Sequence, residues 1–211
     1  MRLVADITLT YFTMPEISTV KISGLILAGG IGRRMGHVDK GLVLFNGQPM
    51  VASVIDRLRP QVDELLINAN QNLEDYRRLG FRVIPDAIDG FAGPLAGLER
   101  GLAEAAHEWI VTCPCDSPFL PLDLVARLRS ALVDPLADLA VAKTGNQAHP
   151  VFCLVRRSVH PHLREFLRAG GRKIDAWYAT LKIVEVNFDD ESEGFANINT
   201  VSELKNLERR S

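Results

Sequence analysis

Residues 22–41 read ISGLILAGGIGRRMGHVDKG, and this one stretch decides the fold class. Its first part, residues 22–28, is a short apolar run with the character of a strand buried on both faces. The run ends in Gly29 and Gly30, so the chain leaves the strand through an open, glycine-rich loop. Fully buried strands of this kind belong to parallel sheets, whose members are joined by crossover helices.

The segments on either side repeat that plan. Pro49 precedes Met50, Val51, Val54, Ile55 and Leu58, a helical spacing with proline at a favoured first-turn position. Residues 64–68 (ELLIN) read as a second strand, 72–79 as a short helix and 81–84 as a third strand. A Gly/Pro-rich loop, 85–97, leads into a helix carrying Leu98 and Leu102. Residues 109–113 (WIVTC) read as a fourth strand, and 122–132 as a helix behind Pro118 and Pro121. Beyond residue 134 the rhythm loosens, with strands predicted at 138–142, 150–155 and 182–188 and helices at 159–167, 173–180 and 201–207. The alternation predicts an α/β fold: a single three-layer domain, its mostly parallel sheet covered by helices on both faces. The domain is expected over residues 21–211, with residues 1–20 expected as a loosely ordered N-terminal extension and the start of translation left open between Met1 and Met14.

Composition narrows the function. The 211 residues are 47% hydrophobic, enough for one core burying roughly 70% of the unfolded chain's surface. Lys and Arg number 24 against 26 Asp and Glu, a formal net charge of -2. That balance excludes the basic footprint of a nucleic-acid-binding protein. Three cysteines make no disulfide framework and point to a cytoplasmic location. No apolar run approaches the roughly 18 residues of a transmembrane helix, and Asp6 interrupts any signal-peptide core near the start. Neither nucleic acid nor a membrane is an expected partner.

Gly29, Gly30, Gly32 and Gly36 follow the first strand, and Arg33, Arg34 and Lys40 add positive charge among them. Without a Cβ, backbone N–H groups can approach a phosphate chain closely. Two common phosphate motifs are absent. Lys40 follows Asp39 and precedes Gly41, so no G-x-x-x-x-G-K-[ST] occurs, and Gly36 comes one position late for G-x-G-x-x-G. A solvated glycine loop is the plain alternative; four glycines with three cations favour a phosphate site.

Residues 113–118 read CPCDSP. Asp116, leaving an apolar strand between prolines, suits a hard-cation ligand, with Mg²⁺ bridging it to phosphates. A turn or helix cap explains the segment equally well on its own. Cys113, Cys115 and Cys153 read as buried, reduced thiols, because one C-x-C lacks further paired ligands. Residues 89–98 (DGFAGPLAGL) form a shaped loop able to wrap a flat base, or simply a strand-to-helix turn. Asn68, Asn70 and Asp86 also fall at strand exits, where ligands collect in such sheets. Arg172 and Lys173 open a predicted helix and offer a second anion site. Asn197 and Asn199 precede the last helix, for which Thr200 is a plausible cap with Glu203. His149, ahead of Pro150, reads as structural.

Together these segments resemble one family, the molybdenum cofactor guanylyltransferases. Residues 27–41 read like their signature, L-A-G-G-x-x-R-R-M-G-x-x-D-K-G. Further matches are Asn68-Ala69-Asn70, Asp86, residues 93–97 (GPLAG), 115–118 (CDSP), His149-Pro150, 171–173 (GRK) and 197–200 (NINT). They fall in the family's order over about residues 24–207. The opening signature alone marks the wider class of Rossmann-like nucleotidyltransferases; its continuation and the N-x-N-T ending narrow it to the guanylyl branch. Val201-Ser202 stands where the family often has Pro-Glu, and the N-terminal residues have no counterpart.

The resemblance implies a Rossmann-like fold and transfer of GMP from Mg-GTP to the phosphate of molybdenum-loaded molybdopterin, with release of pyrophosphate. It implies nucleotide contacts from Leu27, Ala28, Gly29, Gly30, Lys40, Asn68, Asp86 and Gly93, and from Asp116 to both GTP and Mg²⁺. Asp116, Lys40 and Arg33 are the expected catalytic set. Arg172, Lys173, Asn197 and Asn199 complete the binding residues. The nucleotide part then spans about residues 21–133 and the molybdopterin side about 134–211, with proteins that deliver or accept the cofactor as further partners. The rival readings are a cytidylyltransferase or other nucleotidyltransferase, and a nucleotide- or cofactor-binding protein without turnover.

Overall fold

The computed structural model describes residues 20–30, 38–87, 93–132, 136–198 and 203–204. At its centre is β1 (Ile22–Leu27), with every residue but the last buried. It is flanked in parallel by β4 (Glu64–Asn68) and β6 (Trp109–Pro114). Outside β4 lies β5 (Arg82–Ile84), also parallel. On the other side β6 pairs antiparallel with β8 (Gln147–Arg156), β8 antiparallel with β7 (Leu139–Thr144), and β7 parallel with β9 (Ile183–Asn187). The seven-stranded order is β5-β4-β1-β6-β8-β7-β9, and β8 alone runs against the rest.

Strand periodicity divides the core in two. Ile22 and Ile26 of β1 point to a face covered by α1 (Met50–Leu58), α2 (Leu73–Arg77) and α4 (Leu124–Ala131). Leu25 points to the opposite face, under α3 (Pro94–Glu104), α5 (His160–Arg168) and α6 (Ile174–Tyr178). The five apolar positions that predicted α1 are all buried in it. This is the expected three-layer α/β domain with helices on both faces.

Three local departures carry physical reasons. A small hairpin, β2 (Leu44–Phe45) with β3 (Gln48–Pro49), turns at Asn46-Gly47, where both residues have positive φ, 49° and 81°. Asn-Gly favours that turn. Helix α3 begins at Pro94, so Gly97, expected in the preceding loop, lies inside the first turn. Finally, β7 and β8 are one hairpin joined by Gly145-Asn146, and β8 starts at Gln147, ahead of Pro150. Proline is tolerated there because the β7 register jumps from Val141↔Cys153 to Ala142↔His149, leaving residues 150–152 outside the ladder.

Among the described residues, no helix is long and apolar enough to cross a membrane. Residues 1–19 of the expected extension lie outside the described residues, as does all but Glu203-Leu204 of the helix expected at 201–207.

Candidate active site

Pairing sets Ile84, Asn68, Leu27 and Pro114 in one row across β5, β4, β1 and β6. The residues that follow each therefore leave the sheet at one level. Backbone bonds extend one step past the row: Ala28 N–H donates to Asn68 O (2.8 Å), Cys115 N–H to Leu27 O (3.1 Å), and Ala69 N–H to Ile84 O (3.3 Å). Leu27 and Ala28 thus brace the loop, while Gly29 is half-buried and Gly30 exposed.

Over this row the Asn68, Asn70 and Asp86 side chains form a closed bracket. Asn68 Nδ2 donates to Asp86 Oδ1 (2.8 Å) and to Ile84 O (3.1 Å). Asn70 Nδ2 donates to Asp86 Oδ2 (2.9 Å) and Gly29 O (3.3 Å), and Asn70 Oδ1 accepts the Asp86 N–H (2.8 Å). Both Asp86 oxygens are oriented by amide donors and keep lone pairs for a ligand. The space beneath is tight. A Cβ on Gly29 would lie 2.7 Å from Asn70 Nδ2, and one on Gly97 would collide with the Asn68 amide. Gly93, just ahead of α3, adopts φ 79°, a backbone that favours glycine.

An ion pair stands across β1 from the bracket. Lys40, in a 3-10 turn of Lys40–Leu42, places Nζ 2.9 Å from Asp116 Oδ2. Asp116 is buried at the exit of β6. Beside it, burial pushes the Cys115 thiol well above its usual range, with the negative charges of Asp116 and Asp39 adding to the effect. Cys113 and Cys153 are also buried, free thiols with raised pKa.

Asp116 also ties this corner to the distal half of the sheet. Its carbonyl accepts the Ile198 N–H (2.9 Å), and Ser117 Oγ donates to Asn197 Oδ1 (2.7 Å). Asn197 lines a cavity of about 500 Å³ together with Thr144, His149, Phe152 and Phe195. The β8 bulge shapes it. Pro150 O and Val151 O, which fall outside the β7 ladder, accept from Tyr178 OH (2.7 Å) and Thr112 Oγ1 (2.5 Å). His149 stacks on Phe195 at 4.7 Å and shares a 2.8 Å hydrogen bond with Thr144 Oγ1. Burial lowers the His149 pKa, favouring the neutral ring.

A family model described as the MobA-like NTP transferase domain matches residues 24–183. A molybdenum cofactor guanylyltransferase of Ralstonia nicotianae is 50% identical over 203 residues, covering 92% of this chain and 99% of the relative. The chain belongs to the molybdenum cofactor guanylyltransferase family. Like the other members it is a nucleotidyltransferase. Among solved structures, it resembles the molybdopterin-guanine dinucleotide biosynthesis protein A of Archaeoglobus fulgidus (TM-score 0.75, 24% identity, 89% of this chain and 97% of that one). It also shares its fold with a Mycobacterium tuberculosis protein crystallised with manganese (TM-score 0.65, 18% identity, 90% of this chain and all of the other).

The donor set of this guanylyltransferase-family site fits a divalent metal of a particular kind. Among the described residues, no group of three His, Cys, Asp or Glu side chains converges to hold a metal alone. Asp116 supplies one fixed, buried carboxylate at the exit of β6, which suits a hard cation that takes its other ligands from phosphates and water.

The remaining expected residues are dispersed. Arg172 folds back on α5, donating to Leu167 O (2.8 Å) and Gly171 O (2.6 Å), and both Arg172 and Lys173 are exposed ahead of α6. The α6 helix has five residues. Arg33, Arg34 and Asn199 lie outside the described residues. Ser117, whose Oγ holds Asn197, is a site residue that sequence reading passed over, although it lies within residues 115–118.

Proposed function

We propose that this chain transfers GMP from Mg-GTP to the phosphate of molybdenum-loaded molybdopterin, forming the guanine dinucleotide cofactor and releasing pyrophosphate. One observation carries the reading. Asp116 joins the two halves of the sheet edge: its side chain meets Lys40, and its carbonyl holds Ile198, next to the non-strand segment 195–197 that lines the distal cavity. A carboxylate at that junction suits transfer between a nucleotide on one side and an anionic acceptor on the other.

The bracket supports a nucleobase site. Asp86 presents oriented acceptor oxygens, the complement of the guanine N1–H and 2-amino donors, with Asn68 fixing its carboxylate. Leu27, Ala28, Gly29, Gly30 and Gly93 frame the base and phosphates with backbone. Lys40 and Arg33 are assigned to the triphosphate. Asn197, Asn199, Arg172 and Lys173 are assigned to the acceptor side, which makes residues 134–211 the molybdopterin part and 21–133 the nucleotide part.

In the reaction an oxygen of the acceptor phosphate attacks the α-phosphorus of GTP, the bond to the β-phosphate bridging oxygen breaks, and pyrophosphate leaves with that electron pair. Bound Mg²⁺ would be held by Asp116 and would supply charge neutralisation at the phosphates. The chain's own contribution is to bring two anions together and hold them in line. At an effective dielectric of 20, one charge pair at 4 Å is worth about 4 kcal/mol before screening, so Lys40 with Arg33 offsets a substantial part of the repulsion. No activated side-chain nucleophile is required. Three buried free thiols are in keeping with a cytoplasmic enzyme.

The test is pyrophosphate release with molybdate-loaded molybdopterin, comparing Mg-GTP with Mg-CTP and wild type with Asp116→Ala. GTP-dependent turnover that Asp116→Ala abolishes is the expected result. Preference for CTP would mark a cytidylyltransferase, and nucleotide binding without product would mark a carrier.

A further inference from the structure

Tyr76 is fully buried on α2, with 0% of its surface exposed. Phenylalanine would fill the same space without the cost of burying a hydroxyl. The hydroxyl has a partner: it donates to Asp39 Oδ1 at 2.6 Å. The other Asp39 oxygen accepts from Asn72 Nδ2 at 3.1 Å. Asn72 caps the start of the same helix with a left-handed backbone, φ 49°. Two donors from α2 therefore hold one carboxylate.

Asp39 governs the turn that follows it. Its carbonyl accepts the Leu42 N–H (3.1 Å), and the Lys40 carbonyl accepts the Val43 N–H (3.2 Å). The turn is also wedged in place: a Cβ added at Gly41 would meet the Tyr76 hydroxyl on one side and stand 3.3 Å from Cys115 on the other. Lys40 leaves this clamped turn and reaches Asp116 at 2.9 Å. Burial keeps the Tyr76 phenol protonated, so it remains a donor to Asp39.

We infer that Tyr76 is a positioning residue for the transfer reaction, fixing through Asp39 the turn that aims Lys40 at the substrate phosphates. The inference rests on the phosphate role proposed for Lys40. An ammonium aimed at a migrating charge is sensitive to displacement by a fraction of its contact distance. The hydroxyl should therefore matter to kcat more than to the KM for GTP.

The experiment is a double-mutant cycle of Tyr76→Phe with Lys40→Ala, read as steady-state pyrophosphate release. Tyr76→Phe alone is expected to lower kcat roughly tenfold to a hundredfold, with a smaller change in KM. Added to Lys40→Ala, it is expected to lower kcat no further. A wild-type kcat for Tyr76→Phe overturns the inference. Equal losses in both backgrounds also overturn it, because the hydroxyl then acts independently of Lys40. Full turnover by Lys40→Ala removes the phosphate role itself, a separate failure that takes the inference with it. Should Tyr76→Phe not fold, Asn72→Gly removes the second donor at an exposed site while keeping the left-handed backbone. Its kcat loss is expected in the same direction and to vanish in the Lys40→Ala background; an unchanged kcat, or an equal loss in that background, overturns the inference.

Discussion

Gly97 in α3 and Asn68 at the end of β4 touch without room for a methyl group between them. A Cβ at Gly97 would overlap the Asn68 amide and lie 2.8 Å from Leu27 Cδ2. Since Asn68 orients Asp86, Gly97→Ala is expected to weaken nucleotide binding as well as the fold. Overpacking of this kind costs about 1–3 kcal/mol. Urea denaturation and a nucleotide titration read the two effects. Gly30→Ala is the control: among the described residues nothing lies within 4 Å of the added carbon, so its unfolding midpoint should stay close to wild type.

Asn70 joins three strand exits by itself, through Gly29 O, Asp86 Oδ2 and the Asp86 N–H. Asn70→Ala leaves the Asp86 carboxylate held by Asn68 alone and leaves that N–H without its partner. A lost hydrogen bond to a charged group is worth about 1.5–3 kcal/mol. The expected outcome is a KM for GTP raised roughly tenfold or more with kcat little changed. A kcat loss at constant KM would place Asn70 in the chemical step instead.

The parts of this arrangement that sequence could reveal are the ones encoded locally. The apolar runs with glycine exits mark β1 and its neighbours, and 3.6-residue spacing marks α1. What escaped was set by distant partners. Tyr76 occupies a helix position that any core residue could fill, and its hydroxyl finds Asp39 across 37 positions. Pro150 reads as a strand start because a ladder has no use for it. It sits inside β8 because the bulge leaves residues 150–152 outside the β7 ladder, where no N–H is required of Pro150, while Tyr178 and Thr112, 28 and 39 positions away, satisfy the bulged carbonyls. Gly97 reads equally well as loop or helix until its contact with Asn68 is known. The Asn46-Gly47 hairpin, by contrast, was written locally and was passed over.

The three cysteines are buried, and their thiols are held above the usual range by that burial. Thiolate is the reactive form, so native protein should resist alkylation at neutral pH. All three should label after unfolding in urea. Rapid native labelling of Cys115 would show that the corner between Lys40 and Asp116 opens in solution.

His149 supplies a pH dependence whose sign follows from its surroundings. Its ring lies 4.7 Å from Phe195 in a stacked arrangement, and burial depresses its pKa below the ordinary 6.5. As pH falls, the unfolded chain takes up this proton before the folded one does. The contribution to stability is therefore constant above about 6.5, declines as pH drops from there to the folded value, and levels off below it. His149→Phe keeps an aromatic ring on Phe195 and removes the titration. Urea midpoints followed from about pH 7 to about pH 5 should fall more steeply for wild type than for the variant. Parallel curves would mean that His149 accepts a proton as readily in the folded protein as in the unfolded chain, and that the cavity beside Asn197 is wetter than its packing against Phe195 implies.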